Sequence, residues 1–272
     1  LFTGSWPVGR AILEANLDRP GRIVALELGG SNPALVLPDV ASAGDGFGAG
    51  GGSLFDHAVL ECMRAAFITT GQRCTCTRRI IVHRSVAPRF IEALVRAAAR
   101  CTAGPGDASP APFMGPLVSR AARDAVFAFV AEHERRGSRV HLRPEALDAP
   151  GWFVTPGVIE VERFDRATDC ECFGPVVQVA AVDSLEAMIA QANATDFGLA
   201  ASVFTADERA WNECRESIRS GLVNWNCGTA GASGKLPFGG LGRSGNLRPA
   251  GAFSVDYCAF PKASMIEAPP RR

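Results

Sequence analysis

FITTGQRCTCTRR, Phe67 to Arg79, sets two cysteines one residue apart, straight after Thr-Gly-Gln-Arg and straight before two arginines. The residues ahead of it, DHAVLECMRAAFITT, read as a helix capped by Asp56 and stopped at Gly71, and Arg78 to His83 reads as a strand. Cys74 therefore falls in a turn between a helix end and a strand. Such a turn exposes a thiol together with its own backbone N–H, so the group that attacks a carbonyl also helps to hold the resulting oxyanion. Arg73, Arg78 and Arg79 are expected to favour the thiolate. For Cys76, two residues along and pointing elsewhere, the reading is a buried free thiol, the usual fate of cysteine.

Outward from this turn, helix and strand patterns alternate. An amphipathic run from Pro7 to Leu17 follows a strand at Leu1 to Thr3, and RIVALEL (Arg22 to Leu28) and PALVL (Pro33 to Leu37) read as strands. Helices are expected over Val86 to Cys101, from Ser119 to Arg136, from a capping box of Asp183 and Glu186 to Asn193, and from Asp207 to Ser220. Strands at Val176 to Val182 and Ala200 to Phe204 lie between them. The alternation predicts an α/β fold with a largely parallel sheet. The glycine-dense tract between Val40 and Leu54 has no periodicity and reads as a flexible loop.

Composition narrows the partners. Of 272 residues, 47% are hydrophobic and 21% charged, and Lys+Arg and Asp+Glu balance at 28 each. Nothing in that balance points to nucleic acid or to an anionic membrane. No apolar run approaches the length of a membrane span, and LFTGSWPVGR lacks the regions of a signal peptide. Nine scattered cysteines, an odd number, read as reduced thiols in a cytoplasm. The opening on Leu, inside a strand pattern, reads as a portion of something longer.

Two nucleotide motifs fail on inspection. Gly46-Phe47-Gly48-Ala49-Gly50-Gly51 matches G-x-G-x-x-G, but a tight phosphate turn needs its first glycine at the strand's end, and this one lies well beyond it. Gly234-Lys235 resembles the end of a P-loop, yet Thr229 stands in the first glycine's place and Leu236 where Ser or Thr should bind magnesium. The pairs Cys74/Cys76 and Cys170/Cys172 are spaced too tightly for structural zinc, so no metal is expected. A nucleophilic cysteine needs a base, and Glu27 is the one acid of RIVALELGG. It stands at a strand end before two glycines that let a substrate approach, where burial would raise its proton affinity towards neutrality.

Six blocks occur in order: Phe2-Thr3-Gly4-Ser5, Glu27-Leu28-Gly29-Gly30, Phe67-x-x-x-Gly71-Gln72-x-Cys74, Glu171-x-Phe173-Gly174-Pro175, Asn224-Trp225-Asn226 and Pro237-Phe238-Gly239-Gly240. They span essentially the whole chain and resemble the signature blocks of the NAD(P)-dependent aldehyde dehydrogenase superfamily. The resemblance implies NAD as cofactor, an aldehyde as small-molecule substrate, Cys74 as nucleophile and Glu27 as the base that activates the hydrolytic water. It also implies that Gly4, Ser5 and Gly9 lie along the cofactor's pyrophosphate, that Glu171 holds the nicotinamide ribose, and that Phe173 packs near the nicotinamide. Gly71 to Cys76, Ser244-Gly245-Asn246-x-Arg248-Pro249 and Asp256-Tyr257-Cys258 resemble more narrowly the dehydrogenases of N-succinylglutamate 5-semialdehyde in bacterial arginine catabolism. On that substrate Arg73 and Arg248 would anchor the two carboxylates.

The expected organisation is a remnant of the cofactor-binding domain over 1–26, a catalytic domain over 27–245 and an oligomerisation strand with a tail over 246–272. The last includes a strand from Phe253 to Ala263 and implies a homo-oligomer for the intact protein. Members of the superfamily carry a further N-terminal part with most of the dinucleotide-binding domain and an asparagine that completes the oxyanion hole. The interval from Glu27 to Cys74 also looks long for the superfamily, and the glycine tract is the natural place for the excess. Two other readings stay open: a non-catalytic fragment that folds and associates, and a cofactor-independent, esterase-like acyl transfer through Cys74.

Overall fold

The computed structural model describes residues 1–48 and 51–267. The chain opens with β1 (Phe2–Thr3), α1 (Trp6–Glu14) and β2 (Leu26–Glu27), and β1 pairs with β2 in parallel. After β3 (Asn32–Val36), β4 (Asp45–Phe47) and β5 (Gly52–Ser53) form an antiparallel ribbon ahead of α2 (Leu54–Phe67). Then come β6 (Thr77–His83), α3 (Ala87–Ala98), α4 (Arg120–Arg135), β7 (Arg139–Leu142) and β8 (Gly157–Glu160). The alternation continues through β9 (Val176–Val182), α5 (Leu185–Ala192), β10 (Phe197–Gly198), β11 (Ala200–Phe204), α6 (Glu208–Ser217) and β12 (Leu222–Trp225). Three short strands close the chain: β13 (Pro237–Phe238), β14 (Leu241–Gly242) and β15 (Ala250–Gly251).

Seven strands make the central sheet, in the order β12-β11-β3-β6-β9-β8-β7, and every neighbouring pair is parallel except β7 with β8. Residues 34 to 36, 80 to 82 and 177 to 180 are buried throughout because helices cover both faces. The period-2 alternation of a strand divides them between two cores. Ala34, Val36, Ile80, Val82 and Val179 pack with Leu54, Ala58, Phe90 and Leu94 of α2 and α3. Leu35, Ile81 and Ala180 pack with Val126, Val130, Met188 and Cys214 of α4, α5 and α6. The expected α/β class and largely parallel sheet are what the chain forms.

Several local expectations need correction. Helix α2 begins two residues before Asp56, and its cap is Ser53, whose Oγ accepts the Asp56 N–H at 3.2 Å. Likewise α5 is capped by Ser184 rather than Asp183, because the Ser184 hydroxyl reaches the Ala187 amide. Ser119 caps α4 as expected, and Asp207, read only as the start of its helix, caps α6. Only Leu26–Glu27 of RIVALEL is strand, since β1 offers just two residues for pairing. The glycine tract is not a structureless loop where it is described. Its β4–β5 ribbon turns through left-handed Gly48 and Gly51, and Phe47 packs on the α2 core. Ala49 and Gly50 lie outside the described residues, as do 268–272 of the expected tail. Phe253 to Ala263 forms no strand; turns and bends occupy 252–259, and residues 260–267 pair with no strand among the described residues.

The topology gathers the motifs at one edge. Ser31-Asn32 opens β3, the Cys74 turn runs into β6, and Phe173-Gly174-Pro175 runs into β9. Asn32 is in register with Thr77, so these approaches lie side by side at the amino ends of parallel strands.

Candidate active site

Three consecutive residues ahead of the nucleophile turn hold left-handed backbone: Thr69 (φ 53°), Thr70 (φ 57°) and Gly71 (φ 68°). Two β-branched residues in that region cost on the order of 1–3 kcal/mol each, so the surroundings must hold them there. They do. Thr70 Oγ1 donates to the Gly115 carbonyl at 2.9 Å, Arg73 Nε donates to Thr69 Oγ1 at 2.8 Å, and Gln72 Oε1 accepts the Val118 N–H at 2.9 Å. Gly71 is required by contact as well as by φ, because a Cβ there would stand 2.1 Å from the Gly174 carbonyl oxygen.

Cys74 is half-buried in this turn, whereas Cys76 is buried. Burial pushes the Cys74 thiol up. Hydrogen bonding from the Thr75 amide and from its own amide pulls it back, and the Glu171 charge adds to the rise. The expected help from arginine is absent at Cys74. Arg79 is fully buried on the opposite face of β6, donating at 2.9 Å to each of the Ser31, Gln191 and Ala192 carbonyls. Burial lowers its guanidinium to about 10, against the opposing charge of Asp169. Its site is the carbonyl end of α5, where a cation suits the helix dipole. Arg78 lowers Cys76 rather than Cys74. The amides at the sulfur thus replace the arginines as the groups that favour its anion.

Glu27, on β2, is buried, and burial raises its carboxyl to about 7 against one weak bond from the Ala250 amide to Oε1 at 3.4 Å. Its Oε2 is buried with no hydrogen-bond partner among the described residues. Gly29 and Gly30 follow and lie against the other two motifs at once. A Cβ at Gly29 would be 1.9 Å from Glu171 Oε2, and one at Gly30 would be 2.7 Å from the Cys74 carbonyl oxygen. Only glycine allows this close approach. The Gly30 amide donates to Glu171 Oε1 at 3.0 Å. The Glu171 carboxyl is raised by burial, with that amide and the Arg78 charge pulling it down.

The other predicted residues fall in three places. Ser5 caps α1 without a side-chain bond, and no acid lies in the helix's first turn, so its leading amides face no carboxylate of their own turn. Gly4 donates to the Glu27 carbonyl at 3.1 Å, which ties this turn to β2. Gly9 is buried against Leu26 and Leu28, where a Cβ would come within 3.0 Å of Leu28, so it lets α1 lie close on β2 rather than lining the turn. Phe173 is 45% exposed with the Arg78 guanidinium 5.4 Å from its ring centre. A helix N-terminus with no side-chain cap bond, a carboxylate cradled over glycine and an exposed ring are groups that could hold a dinucleotide. Arg73 is exposed on the nucleophile turn. Arg248 is exposed on a separate groove of about 760 Å³ lined by Ile23, Phe253 and Tyr257.

Sequence reading passed over Asn32 and a larger groove, and gave Arg78 to the thiolate rather than to the carbonyls it holds. Asn32 Nδ2 donates to the Cys74 and Cys76 carbonyls at 2.7 and 2.8 Å, and its Oδ1 accepts the Ala200 N–H at 3.0 Å. The available signal was an asparagine opening an otherwise apolar buried strand. A groove of about 950 Å³ lies between α2 and the segment after β12, lined by His57, Glu61, Arg64, Asn226 and Phe238 among others. Among the described residues no group of three His, Cys, Asp or Glu could hold a metal ion, and no helix is long and apolar enough to cross a membrane.

The family model described as "Aldehyde dehydrogenase family" matches residues 1–263. An N-succinylglutamate 5-semialdehyde dehydrogenase of Burkholderia mallei is 40% identical over 268 residues, covering 98% of this chain and 52% of the relative. Among solved structures, betaine aldehyde dehydrogenase of Staphylococcus aureus in complex with NAD+ superimposes with a TM-score of 0.82 at 26% identity. It covers 94% of this chain and is itself covered to 48%. Gamma-glutamyl-gamma-aminobutyraldehyde dehydrogenase of Burkholderia cenocepacia gives 0.82 at 31% identity, with 94% and 49% covered. The chain spans about half the length of the curated relatives it matches.

Proposed function

Because the chain belongs to the aldehyde dehydrogenase family, we propose that its nucleophile turn serves the oxidation of an aldehyde to a carboxylic acid through a thioester on Cys74, with NAD as cofactor. The observation that carries this reading is the Gly29-Gly30 corner, which lies against both the Cys74 turn and Glu171 and joins them directly to Glu27.

The Cys74 thiolate adds to the aldehyde carbon, forming a C–S bond while the carbonyl π pair moves to oxygen. The Cys74 N–H, exposed in the same turn as the thiol, helps to hold that oxyanion. A nicotinamide, when bound, supplies the hydride acceptor for the oxidation. Gly4 and Ser5 would hold its pyrophosphate at the start of α1, Gly9 would set the closeness of that helix to β2, and Glu171 and Phe173 would flank the ribose and ring. Glu27 takes a proton from the water that hydrolyses the thioester on Cys74. A carboxyl near 7 suits that task at neutral pH, because it is partly ionised yet still basic enough to accept a proton.

The substrate we propose is N-succinylglutamate 5-semialdehyde, supported by the 40% identity to the Burkholderia mallei relative, with Arg73, exposed on the nucleophile turn, and Arg248 as the proposed carboxylate anchors. Losing one charge-assisted contact to a carboxylate costs about 1.5–3 kcal/mol, or roughly ten- to a hundredfold. A second reading, acyl transfer without cofactor, draws on the same turn because Cys74 and its amides need no nicotinamide to attack an ester. An NADH-formation assay with the semialdehyde, run beside a p-nitrophenyl ester assay, separates the two. NADH formation that Cys74→Ala abolishes supports the dehydrogenase, and ester turnover without any NADH formation supports the second reading.

A further inference from the structure

Four carbonyl oxygens of the nucleophile turn are held by two buried side chains. Asn32, 1% exposed, takes those of Cys74 and Cys76. Arg78, 2% exposed, takes those of Gly71 and Arg73 through Nη2 at 2.6 and 3.2 Å. Its Nη1 also donates to the Gly174 carbonyl at 3.2 Å, on the loop that carries Glu171 and Phe173. Arg78 has no carboxylate within salt-bridge distance among the described residues, so these carbonyls are its compensation. A buried cation whose hydrogen bonds all go to neutral carbonyls is a costly way to fill space, and an apolar side chain would fill it at less cost.

Peptide geometry gives the arrangement a purpose. In a trans peptide unit the C=O of one residue and the N–H of the next point in opposite directions within one rigid plane. The unit holding the Arg73 carbonyl carries the Cys74 N–H, and the unit holding the Cys74 carbonyl carries the Thr75 N–H. The first of these N–H groups belongs to the nucleophile itself and the second to the residue that follows it. The Arg73 carbonyl is further fixed by the Cys76 amide at 3.1 Å. Asn32 cannot turn its amide round, because the Ala200 N–H occupies its oxygen.

We propose that Asn32 and Arg78 are positioning residues for the nucleophile: Arg78 grips the carbonyl of the peptide unit that carries the Cys74 N–H, Asn32 grips the carbonyl of the next unit, and together they aim the Cys74 N–H that helps to hold the reacting oxyanion. The proposal rests on the reading of Cys74 as nucleophile. Through the Gly174 carbonyl, Arg78 also fixes the turn against the Glu171 loop. Both side chains are buried and engaged with backbone carbonyls rather than open to a substrate.

The test compares two reactions at Cys74 in the 272-residue chain, with peptide mass mapping to locate each product. Acetylation by p-nitrophenyl acetate passes through an oxyanion, whereas alkylation by iodoacetamide does not. Asn32→Ala and Arg78→Met are expected to lower the ratio of acetylation to alkylation rate about tenfold or more, as loss of an oxyanion donor does. The pH midpoint of Cys74 alkylation is expected to rise, because the amides that favour the thiolate are no longer aimed at it. Arg78→Lys, which keeps the charge but not the fork, should recover part of the ratio. Asn32→Ser, too short to bridge both carbonyls, gives the same test at about threefold or more if the alanine variant does not fold. A ratio and midpoint unchanged in the folded variants, or both reactions changing in parallel as a merely loosened turn would give, overturns the positioning role while leaving Cys74 as nucleophile. Acetylation elsewhere in the unaltered chain overturns that reading and this proposal with it.

Discussion

Gly71 and Gly174 meet backbone to backbone: a Cβ on the first would stand 2.1 Å from the carbonyl oxygen of the second. Two loops from distant parts of the chain thereby touch with no side chain between them, one leading to Cys74 and the other carrying Glu171 and Phe173. Gly71 also holds φ 68°, which alanine adopts at a cost of about 1–2 kcal/mol before any clash. Gly71→Ala is therefore expected to lose about 3 kcal/mol or more of unfolding free energy. Urea denaturation measures it. A loss under 1 kcal/mol would mean that the two loops part easily.

The raised carboxyl of Glu27 makes a prediction about pH. Its folded value, about 7, lies above the ordinary 4.5, so the neutral form is the one the fold favours. Stability is then full below about pH 4.5 and is lost as pH rises through 7. Glu27→Gln removes that loss. The variant should match the unaltered chain at pH 4.5 and exceed it by about 1–2 kcal/mol at pH 8, after discounting for the solvent that reaches the group. Equal stabilities at pH 8 would show that the carboxyl ionises freely.

Phe47 changes what the glycine tract is worth. Read as a flexible loop, the tract should be dispensable, yet the β4–β5 ribbon delivers Phe47 to the core beside α2, 6.3 Å from the His57 ring. Phe47→Ala should cost about 1–2 kcal/mol, less than the 3–5 typical of a fully buried phenylalanine because this one is half-exposed. A melting temperature that does not move would return the tract to the status of an unpacked insertion.

What could be read in advance followed chemistry that leaves a pattern. Apolar runs such as IIV (80–82) announced buried parallel strands, and Ser119 and Asp207 announced their helices. The caps at Ser53 and Ser184 were missed because Asp56 and Asp183 stood nearby with equal capping chemistry, and only the path of the backbone decides between them. The strands at 139–142 and 157–160 were missed for want of a strong apolar pattern; β7 is an edge with its first residue exposed. Within the site, Cys74 stood out by its place in a turn after Gly71, and Glu27 as the one acid of an apolar run before two glycines. The roles of Arg73, Arg78 and Arg79 did not, because adjacent arginines on a strand face opposite ways, and the sequence does not say which carbonyls each will find. Asn32 escaped notice for the same reason: its partners are backbone atoms more than 40 residues away.

The central claim is that Cys74 carries the acyl group and Glu27 removes it, and the acetylation kinetics of the chain with p-nitrophenyl acetate test it most directly. A burst of about one p-nitrophenolate per chain is expected, with the acetyl group mapped to Cys74, and no burst in Cys74→Ala. Glu27→Gln should keep the burst while slowing the turnover that follows by about a hundredfold, the loss expected when a general base is removed. A burst that survives in Cys74→Ala, or an acetyl group found on Cys227 or Cys258, would contradict it.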